Sequence, residues 1–264
     1  MRFLQITDTH FVPAGETLYD LDPQARLEGL LELAARDHPD AAFILITGDL
    51  AHHGEVAAYE ALWETLTAAH LPVHLMMGNH DSRAPFASVF PEAERIEGGF
   101  VQFEIAADDA SLLCLDTLLD IPGEHAGDLC KARLGWLDAR LAAIPPGRDW
   151  LLALHHPPLP LSLPNMDDIA LAPRWADALW EVIAERQPAA IFCGHVHRPI
   201  HGTWRGVPFH IQRGVNHQVA YAPERTPTLT FADAPPALSD ICFESGNIVI
   251  HTRELAPARR RFPA

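Results

Sequence analysis

Five short polar clusters each close an apolar run in this 264-residue chain: Asp8-Thr9-His10, Gly48-Asp49, Gly78-Asn79-His80-Asp81, His155-His156-Pro157 and Gly194-His195-Val196-His197. Carboxylate, carboxamide and imidazole donors without thiolates suit Mn, Fe, Co or Zn in a catalytic centre, whereas structural zinc usually recruits cysteine. Together the clusters can supply ligands for two divalent metals, so a metal-dependent hydrolase is the leading reading. Singly, each has a plainer explanation. Asp-x-His is a chance surface pair, Asp49 after Gly48 is a helix N-cap, and Asn79 beside Gly78 is a turn residue. Recurrence of all five at strand ends favours metal. Asp8 and His10 are two residues apart, as are His195 and His197, and in extended backbone that spacing sends both side chains to one side. Of His155 and His156, one imidazole is expected on metal and the other packed nearby. His38, His70, His74 and His125 read as surface or loop residues.

These clusters need a scaffold that brings strand ends together. Phe3 to Ile6 is a short apolar run, followed by helical spacing of Leu27, Leu30, Leu31 and Ala34 between Pro23 and about His38. Ala42 to Ile46 is continuously apolar, as in a strand covered on both faces, and Glu55 to Ala69 is again helical. Val73 to Met77 is a third strand. Successive βαβ crossovers place the loops after parallel strands along one sheet edge, where ligands of open α/β sheets bind. The first three clusters occupy those loops. Alternation at Phe100 to Ile105 and the apolar run Leu112 to Leu115 suggest antiparallel structure. A helix over Lys131 to Ala143, a strand over Trp150 to Leu154, a helix near Trp175 to Glu185 and a strand over Ala189 to Cys193 then lead to the last two clusters. Residues 200 to 253 hold short β-runs broken by the proline-rich stretch Pro223 to Pro236, read as a second sheet carrying a projecting hairpin. The expected fold is a four-layer αββα sandwich of two mixed sheets flanked by helices. It forms one domain over residues 1–264, in which 198–235 is a small β-rich cap or oligomerisation hairpin.

Composition narrows the partners. An apolar fraction of 48% with mean hydropathy near zero fits one well-packed globular domain. A formal charge of −16 repels nucleic-acid polymers and anionic membranes, while bound dications would reverse the field locally for a small anionic substrate. No stretch approaches the roughly 18 apolar residues of a membrane span, and no leader pattern opens the chain. Cys114, Cys130, Cys193 and Cys242 lack Cys-x-x-Cys spacing and read as reduced thiols, which points to a cytoplasmic protein. Arg259-Arg260-Arg261 reads as a solvated tail.

In order and spacing, the five blocks resemble the calcineurin-like metallophosphoesterase family. Within it, Asp8 to Phe11, His155 to Leu161 with Met166-Asp167, and His217-Gln218-Val219 resemble the bacterial glycerophosphodiesterases and class III cyclic-nucleotide phosphodiesterases. The resemblance implies one metal on Asp8, His10, Asp49 and His197 and a second on Asp49, Asn79, His155 and His195, with Asp49 bridging. The neutral Asn79 makes the second the weaker site. It implies hydrolysis of small phosphodiesters, glycerophosphodiesters or cyclic nucleotides, by attack of a metal-bound hydroxide. His80, beside Asn79, is placed to protonate the leaving alkoxide, with Asp81 either orienting its imidazole or capping a helix. Asn79, His80 and His217 are the expected substrate contacts. The Pro158 to Asp168 segment is expected to overhang the cleft, and the cap to support a homo-oligomer. A phosphomonoesterase on the same core and a metal-poor, non-catalytic scaffold are the competing readings.

Overall fold

The computed structural model describes residues 1–107 and 109–255, so the arginine run at 259–261 lies outside the described residues. In chain order its elements are β1 (Arg2–Ile6), α1 (Pro23–Asp37), β2 (Ile44–Ile46), α2 (Val56–Leu66), β3 (Val73–Leu75), α3 (Arg83–Val89), β4 (Phe103–Ala106), β5 (Ala110–Leu115), α4 (Lys131–Ala143), β6 (Asp149–Leu154), α5 (Pro164–Asp167), α6 (Pro173–Ile183), β7 (Ile191–Cys193), β8 (Ile200–Trp204), β9 (Val207–Ile211), β10 (Gln218–Val219), β11 (Phe231–Ala232), β12 (Ala237–Glu244) and β13 (Asn247–Glu254). Local chemistry sets the boundaries. Asp22 caps α1 by accepting from the Ala25 amide, and Pro23 sits in the first turn, where it sacrifices no helical hydrogen bond.

Two large mixed sheets result, ordered β13-β12-β1-β2-β3 and β4-β5-β6-β7-β9-β8. In the first, β1, β2 and β3 are parallel neighbours; in the second, β5, β6, β7 and β9 are. Strand β5 shows how one sheet serves two cores, because alternate residues face opposite sides. Leu112 and Cys114 join the core between the sheets, with Phe3, Phe43 and Phe192. Leu113 and Leu115 join the outer core, under Leu137 of α4 and Leu179 of α6. Helix α1 covers the first sheet through Leu27, Leu30, Leu31 and Ala34. Phe3 meets Phe192 edge-on at 5.4 Å, and the Gln5 side-chain amide donates to the Cys193 carbonyl at 3.0 Å, so the sheets are tied as well as packed.

Residues 200–253 do not form a sheet of their own. β8 and β9 extend the second sheet, whereas β12 returns to pair antiparallel with β1, which needs a partner on its open side. β10 and β11 form a separate two-stranded ribbon. The β4–β5 pair is antiparallel as expected, but β5 runs parallel to β6, which places the loop after β5 at the same edge as the metal-type clusters. His38 is buried against Asp240 and His74 lies on β3; of the histidines read as peripheral, only His70 is exposed. Among the described residues, no helix is long and apolar enough to cross a membrane.

Candidate active site

The parallel strand ends of both sheets converge. Asp8 and His10 follow β1, Asp49 follows β2, Asn79 follows β3, His155 follows β6, and His195 and His197 follow β7. Ligand-type atoms of Asp8, His10, Asp49 and His197 all lie within 4.8 Å of one another. His10 Nε2 is 3.4 Å from Asp49 Oδ2, and His197 Nε2 is 3.4 Å from Asp8 Oδ1. The other oxygen of Asp49 faces the second group: Oδ1 is 3.4 Å from His155 Nε2. Asn79 Oδ1 completes it, 3.2 Å from His155 Nε2 and 2.8 Å from His195 Nδ1. Asp49 thus stands between two sets of donors, one oxygen toward each.

The backbone that presents these groups is not extended. Asp8, His10, Asp49, His195 and His197 have φ of 54°, 46°, 52°, 71° and 52°, in the left-handed region that L-residues enter at a cost of about 1 kcal/mol or more each. The two-residue spacing therefore converges through left-handed turns rather than through strand alternation. The turns leave no room for extra atoms. A Cβ on Gly194 would lie 2.0 Å from Thr7 Oγ1, and one on Gly78 would lie 2.2 Å from Asp49 Oδ1.

The donor set fits cations. His155 Nδ1 donates to the Thr47 carbonyl at 2.8 Å, and His197 Nδ1 donates to the His217 carbonyl at 2.9 Å. In the neutral rings the Nε2 lone pairs then face carboxylate and amide oxygens, which only a cation or an added proton can reconcile. Asp8 Oδ2 is buried without a hydrogen-bond partner, as a carboxylate oxygen facing a cation site would be. Burial pushes the Asp8 carboxyl up, against the pull of His197 and His155. For Asp49 burial acts the same way, but His155 and His80 outweigh it and hold the carboxyl well below its ordinary range. Burial lowers His155 too, yet Asp49 wins and raises it to about 9; His10 and His195 are driven well below their ordinary value by burial.

His80 sits at the mouth, its amide donating to Asp49 Oδ1 at 2.9 Å and its Nδ1 donating to the His52 carbonyl at 2.8 Å. Asp81 neither orients that imidazole nor caps α3, whose N-cap is Ser82. Instead, its buried carboxylate accepts from the amides of Gly78 (2.8 Å), Leu50 (3.1 Å) and Ala51 (3.0 Å) and from Tyr59 Oη (2.9 Å). It pins the β2 and β3 loops, and so Asp49 and Asn79, to each other. His217 is buried 4.3 Å from the His197 ring and 5.1 Å from the His10 ring, pushed down to about 2 by burial and by His197. Met166 and Ile169, at and just past the overhanging segment, line the cleft.

Two histidines beside the site, His52 and His125, went unrecognised in the sequence, while His156 is the imidazole expected to pack beside His155. His52 stacks on His80 at 5.0 Å and contacts His10, Nδ1 to Nδ1, at 3.1 Å. His125 accepts from the Asn79 amide nitrogen at 3.0 Å, which turns the Asn79 oxygen toward His155 and His195. His156 contacts Thr117 Oγ1 at 2.8 Å and donates from Nε2 to the His125 carbonyl at 3.2 Å. The available signal was the strand-end rule itself: His52 extends the loop after β2, and His125 lies in the loop after β5.

Residues 1–199 match the family description "Calcineurin-like phosphoesterase". The chain belongs to the calcineurin-like metallophosphoesterase family. Among relatives, it is 47% identical over 252 residues to a probable cyclic nucleotide phosphodiesterase of Rhodopseudomonas palustris, covering 95% of this chain and 91% of that protein. It is 26% identical over 268 residues to a probable glycerophosphodiester phosphodiesterase of Arcobacter nitrofigilis, covering 100% and 96%. Among solved structures, the purple acid phosphatase of yellow lupin seeds superposes with a TM-score of 0.68 at 14% identity over 97% of this chain and 51% of that one, a likeness of fold. Two large mixed sheets flanked by helices are thus the architecture of this calcineurin-like phosphoesterase.

Proposed function

We propose that this chain is a metal-dependent phosphodiesterase acting on small phosphodiesters, cyclic nucleotides or glycerophosphodiesters, at two divalent metals. One would be held by Asp8, His10, Asp49 and His197, the other by Asp49, Asn79, His155 and His195, with Mn, Fe, Co or Zn as candidates. The carrying observation is Asp49 itself, with Oδ2 3.4 Å from His10 and Oδ1 3.4 Å from His155. When bound, such a metal pair supplies a nucleophile at neutral pH and neutralises charge on the phosphoryl oxygens. The two relatives, named a cyclic nucleotide phosphodiesterase and a glycerophosphodiester phosphodiesterase, support the diesterase reading.

The chain's own residues handle the rest. His80 donates its Nδ1–H to the His52 carbonyl, so that in the imidazolium form its Nε2–H would pass to the leaving alkoxide and leave a neutral ring. His217, packed on His10 and His197, is placed to offer its ring to the phosphate. The cleft lining contains no arginine or lysine among the described residues, which favours a monoanionic diester over a dianionic monoester. The nearest arginines are engaged elsewhere: Arg83 pairs with Asp116 at 2.7 Å, and Arg198 donates to the Val219 carbonyl at 2.9 Å. A homo-oligomer and a cytoplasmic location belong to the same proposal. The four thiols are unpaired, and the ribbon formed by β10 and β11 stands apart from both large sheets.

Metal analysis and turnover of bis(p-nitrophenyl) phosphate against p-nitrophenyl phosphate test this reading. About two equivalents of metal and preference for the diester are expected; fewer than one equivalent with no esterase activity would support the non-catalytic scaffold instead. His80→Ala should lower kcat by roughly 10²- to 10⁴-fold for a poor leaving group, less for nitrophenolate, and leave metal content unchanged. Equal losses on both substrates would remove His80 from the acid role.

A further inference from the structure

The cleft above the metal-type ligands is about 220 Å³, and its floor and its wall differ in kind. The floor is imidazole and carboxylate. One wall is apolar, and two of its members, Tyr19 and Phe231, are large aromatic residues that remain 47% and 39% exposed. Their rings stack on each other at 4.6 Å with planes 25° apart. Both stand edge-on to His217, at 4.9 Å and 4.7 Å with interplanar angles of 81°. The pair therefore forms a short aromatic stack that stands on the ring packed against His10 and His197, and its outer faces are left to take a further ring.

Its construction is costly. Tyr19 and Asp20, with φ of 55° and 62°, are the two central residues of a tight turn in which the Leu18 and Leu21 amides donate to each other's carbonyls at 2.9 Å and 3.1 Å. A turn with both central residues left-handed strongly prefers Asn-Gly or Asp-Gly, and a bulky aromatic at its first position is an outlier. Phe231 comes from far along the chain, on the ribbon in which Phe231 pairs with Val219. Two distant segments thus converge on one aromatic surface, one of them against its backbone preference.

We infer that Tyr19 and Phe231 form a specificity panel that stacks the planar base of a nucleotide substrate. This rests on the phosphodiesterase reading of the site and selects the nucleotide class within it. With no arginine or lysine in the lining among the described residues, the phosphate is left to the metal-type ligands, and the organic substituent meets a π surface. Base–aromatic stacking gains roughly 5- to 150-fold in affinity per base and tolerates different bases, because every base has a π face.

The test compares 5′-AMP with ribose 5-phosphate by calorimetry on the Mn-loaded, full-length protein, alongside turnover of 3′,5′-cyclic AMP, glycerophosphoethanolamine and glycerophosphocholine. The wild type should bind 5′-AMP at least about 5-fold more tightly than ribose 5-phosphate. Tyr19→Ala and Phe231→Leu should bring that ratio close to one and raise KM for cyclic AMP more than KM for glycerophosphoethanolamine. Phe231→Leu keeps an apolar group in place, so it separates the loss of the π face from collapse of the ribbon. Equal affinity of the wild type for 5′-AMP and ribose 5-phosphate overturns the panel while the diesterase stands. So does a loss confined to glycerophosphocholine, which would make the panel a quaternary-ammonium site, or equal losses on all three substrates. Absence of all diester turnover in the wild type overturns the diesterase reading instead, and 5′-AMP binding without preference over ribose 5-phosphate then overturns the panel separately.

Discussion

His210→Gln should flatten part of the acid sensitivity of folding. His210 lies on β9 between the sheets, 1% exposed, with Nε2 2.8 Å from Ser239 Oγ of β12 and Nδ1 2.9 Å from His201 Nδ1. Burial, helped by His201, pushes it from 6.5 down to about 3. The unfolded chain therefore binds a proton that the folded chain refuses throughout the interval between those values. Because the unfolded state holds more protons there, stability rises with pH across it and falls as the solution is acidified. Going from pH 7 to pH 5, this one group removes about 2 kcal/mol; by pH 4 it removes about 3 kcal/mol. Glutamine stays neutral and can still reach Ser239. The assay is urea unfolding of both proteins at pH 7 and pH 5 under one fixed metal condition. Other buried imidazoles contribute equally to both, so the difference between the two pH losses isolates His210. The variant should lose about 2 kcal/mol less than the wild type, even if it starts lower at pH 7. Identical losses would refute a neutral, desolvated His210 as an inter-sheet tie.

Gly194→Ala should separate the β1 and β7 turns, because its Cβ would lie 2.0 Å from Thr7 Oγ1 and 3.1 Å from Asp8 Oδ2. A cost of about 1–3 kcal/mol is expected, read as a lower Tm together with weaker Mn uptake; a Tm and Mn affinity equal to wild type would contradict the close approach. Asp81→Asn turns an amide NH₂ toward donors that now reach a carboxylate, and should cost about 2–4 kcal/mol in urea unfolding. Less than about 1 kcal/mol would mean that the four contacts do not hold the loops together. Titration of metal-free protein with Mn should resolve two unequal sites, since Asp8 and Asp49 serve the first set whereas Asn79 brings no charge to the second. Equal affinities would sink that asymmetry.

How far the fold could be read depended on whether the deciding interaction was local. Leu27, Leu30, Leu31 and Ala34 are all buried, because a 3.6-residue period is a property of the segment itself. The apolar run over residues 42–46 became β2 for the same reason: full burial of Ile44, Leu45 and Ile46 requires cover on both faces. Assignment of strands to sheets was not local. Nothing within Ala237–Glu244 states that it pairs with β1, and nothing within Ile200–Trp204 states that it continues the second sheet, so residues 200–253 read as one sheet when they serve two. His38 misled in the same way: its burial depends on Asp240, two hundred residues away, at 3.2 Å.

The site divides along the same line, and the division explains why its ligand-type residues were legible while their support was not. Asp8, His10, Asp49, Asn79, His155, His195 and His197 each follow a strand, and parallel pairing carries strand ends to one edge, so a local pattern implied a common location. Their orientation has another origin. Five of them adopt positive φ, a strain that no two-residue alternation predicts and that must be offset by packing such as the Asp81 staple and the Gly194 approach. The second layer is non-local throughout: His52 matters through His10 and His80, His125 through Asn79, and His156 through His125. Each of these imidazoles is ordinary in its own segment. It gains a role only once β2, β3, β5 and β6 are parallel and their loops share an edge, so the parallel placement of β5 is the step by which His125 becomes part of the site.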